Sequence, residues 1–217
     1  TVFIQAGAII PLVWMFWREV VKDRKLFTLI VAGFLPAAVI GLLLHKLIKT
    51  VFFATDWLMI AMFIGVGLLF ILIEWLVKQH KLICERSINE LSIPAALKTG
   101  VFQALAVIPG VSRSGATMMG GMLVGLTRSA AAKFSFLLAV PTIFAASALD
   151  LFQSREMVSQ LTGEQWQALV VGFVTALVVG WLSIHWLLRF VKNHSMAWFG
   201  WYRVAAGIIL AVALMAR

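Results

Sequence analysis

Between Pro109 and Thr117 the chain reads Pro-Gly-Val-Ser-Arg-Ser-Gly-Ala-Thr, three hydroxyls and an arginine set among glycines. A glycine-rich break that opens into a helix presents unpaired backbone N–H groups and the positive end of the helix dipole. Ser112, Ser114 and Thr117 add hydroxyl donors, and Arg113 adds a planar fork of donors suited to phosphate. Gly110 and Gly115 belong to the same candidate anion-binding surface. A charged arginine at membrane depth is costly and marks either a substrate site or a paired ion. The residues alone leave two readings open: a phosphate site, or an Arg113 paired with a buried carboxylate while the serines cap a helix.

The surroundings of this segment are strongly apolar. The chain has 217 residues, is 62% apolar and only 12% charged, with mean hydropathy +1.00. Soluble domains carry roughly a quarter charged residues, so this is a polytopic membrane protein and a single membrane domain. Six stretches have the length and apolarity to cross a bilayer: 2–17, 27–45, 53–77, 132–151, 166–190 and 199–216. Nine Trp and sixteen Phe fit interfacial belts and packed helices. The net charge of +9 does not signal nucleic acid, because the basic residues lie in short loops between crossings. Cys84 is the only cysteine, which excludes an internal disulfide and a multi-cysteine metal site.

Placing the loop of Arg18, Lys22, Arg24 and Lys25 in the cytoplasm puts twelve basic residues inside and four outside, a clear positive-inside bias. The count requires the apolar stretch 97–127 to enter and leave on one side. Leu97 to Ile108 and Ala116 to Leu126 are each too short to span, so this stretch is expected to be a re-entrant helical hairpin broken at 109–115. Such a break survives at membrane depth only under protein or beside a water-filled cavity.

An internal repeat is also legible. Gly33-Phe34-Leu35-Pro36-Ala37-Ala38-Val39-Ile40-Gly41 matches Gly172-Phe173-Val174-Thr175-Ala176-Leu177-Val178-Val179-Gly180, and Phe3-Ile4-Gln5-Ala6 more weakly matches Phe136-Leu137-Leu138-Ala139. Three crossings per unit force the copies into opposite orientation. The expected fold is therefore all-α, two inverted-topology repeats of three transmembrane helices with a re-entrant hairpin. Residues 1–77 form the first repeat, 78–96 a cytoplasmic connection, and 97–217 the second repeat with its hairpin at 97–127. By symmetry a further hairpin of about 35–40 residues is expected ahead of Thr1.

The segment from Pro109 to Thr117, followed by Gly120-Gly121-Met122-Leu123-Val124-Gly125, resembles the PGxSRSxxT signature of bacterial undecaprenyl-diphosphate phosphatases, the bacitracin-resistance family. Phe134-Ser135-Phe136-Leu137-Leu138-Ala139-Val140-Pro141, Ala148-Leu149-Asp150, Phe3-Ile4-Gln5 and Met15-Phe16-Trp17-Arg18 are similar to that family too, so the resemblance covers nearly the whole chain. It implies hydrolysis of undecaprenyl diphosphate to the monophosphate carrier of peptidoglycan synthesis, in the bacterial inner membrane, with an outward-facing pocket and a homodimer. Carried onto this chain, it implies that Arg113 binds the diphosphate and that Ser112, Ser114 and Thr117 donate to its oxygens. Gln103 and Gln5 are secondary polar contacts.

The family's second motif, an ExxxE segment followed by a PxSSxGH hairpin, has no counterpart between Thr1 and Arg217. That motif supplies acid/base groups and the ligands of a divalent cation (Mg or Ca), so none is assigned to this chain. Half an active site, inactive alone, is the resulting expectation. The competing function is a transporter or flippase of a phosphorylated polyprenyl lipid, since inverted repeats with broken helices also build transporters. The SRxxxxxH pattern of another lipid phosphatase superfamily fails, because Met119 stands six residues after Arg113.

Of the remaining polar residues, His80 and His194 fall in basic loops and His45 at a helix end. His185 is expected to pack or cap. Glu74, Asp150 and Arg203 lie towards crossing ends, where snorkelling or ion pairing is ordinary, and Tyr202-Arg203 resembles a structural family pair. Gly120, Gly121 and Gly125 suit close helix packing.

Overall fold

The computed structural model describes residues 2–51, 56–153 and 162–216. Within them the chain is helical almost throughout: α1 (Val2–Lys22), α2 (Arg24–Val51), α3 (Asp56–Lys78), α4 (Ile93–Ala104), α5 (Arg113–Leu123), α6 (Arg128–Gln153), α7 (Gly163–Asn193) and α8 (Ala197–Met215). Single 3₁₀ turns occupy Ile88–Glu90 and Leu105–Val107. Side chains of Gln5 and His45, and the residues Arg155 and Arg217, lie outside the described set.

Five of these helices are long and apolar enough to cross a membrane: α2, α3, α6, α7 and α8. α1, the first of the six expected crossings, has several side chains outside the described residues, to which the count of five is confined. At 21 residues and about 1.5 Å per residue, it still has the length. The second crossing also runs further than expected, to Val51 rather than 45, because nothing between Lys46 and Val51 is a glycine or proline that would stop it. Trp14, Leu43 and Phe144 are mostly exposed, as side chains that face lipid are.

The helices pair across the sequence. α1 packs on α6 and α7, α3 on α8, and α2 on α4. Glycines set the closest approaches: a Cβ on Gly100 would strike the carbonyl of Gly33, and one on Gly67 would lie 2.9 Å from the carbonyl of Gly200. With no driving force between apolar helices in lipid, such close backbone packing holds them together.

The stretch 93–123 is two short helices of 12 and 11 residues, each of half-membrane length, wedged among α2, α3 and α6. Its core is dense: Ala96, Met122, Phe134 and Leu138 have no exposed surface. Gly120 meets Phe102 across the hairpin, and Gly121 meets Ala131 of α6. A Schellman motif closes α5, with Gly125 at φ +94° and the Leu126 N–H donating to the Gly121 carbonyl at 3.0 Å.

One face of the bundle is stitched by polar contacts. Glu74, 1% exposed, accepts both arms of Arg128 at 2.7 Å and the Met196 N–H at 2.9 Å. It joins α3, α6 and the α7–α8 connection, an ion pair rather than a snorkelling side chain. The connection 79–92 is pinned to the α5–α6 turn, where Arg86 exchanges backbone hydrogen bonds with Gly125 and Thr127.

Candidate active site

The break in the hairpin follows from its sequence. Pro109 drives Ile108 out of the helical region, and Ile108 is extended at φ −79°, ψ 124°. Gly110 then takes φ +88° and the Val111 N–H closes the turn onto the Ile108 carbonyl at 3.1 Å. Proline second and a left-handed glycine third define a type II turn. Any side chain on Gly110 would also strike the carbonyl of Met59. Ser112 comes next as the N-cap of α5, its Oγ accepting from the Gly115 N–H at 3.2 Å.

The helix therefore starts at Arg113, three residues before the expected Ala116. The shift matters chemically. Arg113, Ser114 and Gly115 occupy the first turn, where N–H groups lack intrahelical partners and the dipole is positive. The Ser112 and Ser114 hydroxyls lie 3.2 Å apart. Gly115 is buried and tightly packed: a Cβ there would lie 3.1 Å from the Phe70 ring, which would have to give by a few tenths of an ångström.

Arg113 is half-buried, and among the described residues its guanidinium makes no hydrogen bond and no ion pair. Every described side-chain polar atom that is fully buried has a partner, so the unpaired nitrogens of Arg113 keep some exposed surface, although Arg113 is not among the residues that line the cavities at the break. This removes the alternative in which Arg113 is neutralised by a described carboxylate.

Thr117 and Gln103 sit differently from Ser112 and Ser114. Both are buried, Thr117 at 1% and Gln103 at 2% exposure. Thr117 donates to the Arg113 carbonyl at 2.7 Å, and the Gln103 amide donates to Thr142 Oγ1 at 2.7 Å. Their polar atoms are spent inside the hairpin and against α6, so they brace the break from behind. Gln5, expected as a secondary polar contact, has its side chain outside the described residues.

Sequence reasoning passed over the residues that wall the site. A cavity of about 280 Å³ opens on Ser112, Ser114 and Gly115 and is closed by Phe63, Phe199 and Arg203. A second, of about 410 Å³, lies on the other side of Phe63, Ser112 and Arg203 and reaches Met59 and Leu210. Arg203 is 8% exposed and donates to the carbonyls of Phe63, at 3.2 Å, and Gly110. His185 lies apart, its Nδ1 2.9 Å from the Trp181 carbonyl.

Among the described residues no three His, Cys, Asp or Glu side chains gather where a metal could bind. The groups at the break are hydroxyls, N–H groups and a guanidinium, which suit an anion and do not fit a divalent cation.

A broken hairpin of two short helices, set among helices long and apolar enough to cross a membrane, is what the fold defines. The chain matches the family model of bacitracin resistance protein BacA over residues 1–209. It is 38% identical over 208 residues to an undecaprenyl-diphosphatase of Aquifex aeolicus, covering 96% of this chain and 79% of the relative. Identity to the corresponding protein of a Sulfurihydrogenibium species is 42% over 208 residues, covering 96% and 80%. With undecaprenyl-diphosphatase 1 of Chromobacterium violaceum it is 41% over 219 residues, covering 96% and 78%. The chain belongs to the BacA family.

Proposed function

We propose that this protein hydrolyses undecaprenyl diphosphate to undecaprenyl phosphate and inorganic phosphate in a bacterial membrane, and thereby contributes to bacitracin resistance. The observation that carries the reading is the unpaired guanidinium of Arg113 in the first turn of α5, beside the Ser112 and Ser114 hydroxyls that open on a cavity. The names of the relatives supply the substrate.

Cleavage breaks the bridging P–O bond of the diphosphate, with water as the incoming group, and leaves the lipid on the departing monophosphate. Negative charge builds on the phosphoryl oxygens as that bond opens. Arg113 and the N–H groups of the α5 first turn meet it with fixed positive charge in a water-poor setting, where such interactions are strongest. Ser112 and Ser114 donate to the same oxygens. Thr117 and Gln103 hold the arginine's backbone in place.

The same reading carries an inverted repeat, with 1–77 and 97–217 as its halves. Support comes from the matched glycines: Gly33 of α2 packs on Leu138 of α6, while Gly172 of α7 packs on Ile4 of α1. An outward-facing pocket and a homodimer complete it.

The test is phosphate release from a polyprenyl diphosphate by the purified, reconstituted full-length protein. Arg113→Ala is expected to lower turnover by about 10³-fold, the upper range for loss of a transition-state donor. Wild-type turnover in that variant would sink the assignment. Movement of the lipid across the bilayer without phosphate release would favour the transport reading, which the broken hairpin also suits.

A further inference from the structure

Arg203 is a charged side chain in the second turn of α8 with almost no exposed surface. Buried charges are normally paired, yet among the described residues no carboxylate contacts it. Its compensation comes from neutral groups: the Phe63 and Gly110 carbonyls, and the Phe63 ring, whose centroid lies 4.0 Å from the guanidinium carbon. Facing dipoles and a π cloud stabilise the cation without cancelling its charge.

The acceptor it holds is not an arbitrary one. Gly110 is the left-handed residue of the type II turn, and its carbonyl belongs to the peptide that leads into Val111 and then Ser112. Fixing that peptide fixes the direction from which Ser112 caps α5, and hence where the hydroxyls and first-turn N–H groups aim. The same side chain walls both cavities that meet at Ser112. Through Phe63 it also ties the turn to α3. One guanidinium thus locks the hairpin break to the α3–α8 pair.

We propose that Arg203 is a positioning residue for the anion-binding turn, acting through the Gly110 carbonyl to hold Ser112 and the start of α5 in register with the phosphoryl group. This rests on the phosphatase reading above. A lysine in its place keeps the charge but has a single donor centre, which cannot span two carbonyls in the fixed geometry of a guanidinium.

The experiment is steady-state phosphate release from a polyprenyl diphosphate by reconstituted wild type, R203M and R203K, each taken as the monodisperse fraction. Misplacing a catalytic array by about 1 Å costs about 10²-fold. R203M is therefore expected to lose about 10²-fold in kcat with KM within about threefold, and R203K about tenfold. Added guanidinium is expected to restore part of the turnover of R203A. A merely structural role lowers the yield of folded protein and leaves the kcat of the folded fraction unchanged, which overturns the proposal. If R203M is not recovered folded, R203K decides: normal kcat overturns, a lowered kcat at normal KM supports. Absence of release by wild type overturns both this proposal and the functional reading, whereas release by wild type matched by R203M overturns this one alone.

Discussion

Ser112 carries two duties that a single substitution separates. Its Oγ accepts from the Gly115 N–H and faces the cavity beside Ser114. Ser112→Ala removes both, and loss of an N-cap costs about 1 kcal/mol. The expected outcome is a modest fall in the melting temperature with a larger fall in kcat, read by thermal unfolding and by phosphate release. Ser112→Asp separates them: the carboxylate restores the cap, so stability recovers, while its charge repels the phosphoryl group and activity does not. The residues of this turn were legible in the sequence because proline, glycine and serine each force one conformation. Arg203 was not, since a lone arginine near a helix end reads as snorkelling until the fold brings Gly110 over it. Nor was the inward burial of Thr117 and Gln103, which depends on how α4, α5 and α6 pack.

At the scale of elements, Glu74 is the point where three of them meet. Arg128 and the Met196 N–H satisfy its carboxylate in a setting nearly closed to solvent. The Arg128 side chain is 34% exposed, so removing Glu74 forfeits charged hydrogen bonds worth about 2 kcal/mol but leaves an arginine that water still reaches. Glu74→Ala is expected to lower the unfolding temperature in detergent markedly, while the charge-removing double change of Glu74 and Arg128 to Met costs less. A single variant as stable as wild type would refute this account of the joint. Helix existence was readable from apolar length alone, and α2, α3, α6, α7 and α8 follow it. Their ends were not: Ser92 with Pro94, and Ser112 with the turn before it, start α4 and α5 earlier than hydrophobicity suggests.

For the whole molecule, sidedness is the property that charge patterning addresses and packing does not. Cys84 offers a single-site probe, placed in the connection expected in the cytoplasm. Its thiol donates to the Met122 carbonyl at 3.2 Å, and burial pushes it above the usual cysteine range. Only the thiolate reacts with a maleimide, so labelling is expected to be slow at neutral pH and to accelerate only above the ordinary thiol range. In sealed right-side-out vesicles an impermeant maleimide is expected to label Cys84 after lysis and not before. Labelling of intact vesicles would reverse the topology. The positive-inside count gave this orientation, and the pairing of α1 with α6 and of α3 with α8 was beyond it, because which helices touch depends on glycine contacts such as Gly67 with Gly200.

The clamp on the hairpin break has a consequence for how the protein is made. Pro109, Gly110 and Ser112 leave the ribosome long before α8, and until then the Gly110 carbonyl has no Arg203 to donate to it. A hairpin threaded into the bilayer in that interval exposes bare peptide groups to lipid, which is unfavourable. Insertion of 93–123 is therefore best completed late, after α8 arrives, and a chain arrested before residue 203 is expected to keep its hairpin break at the interface. Completion of the break thus waits on the synthesis of α8.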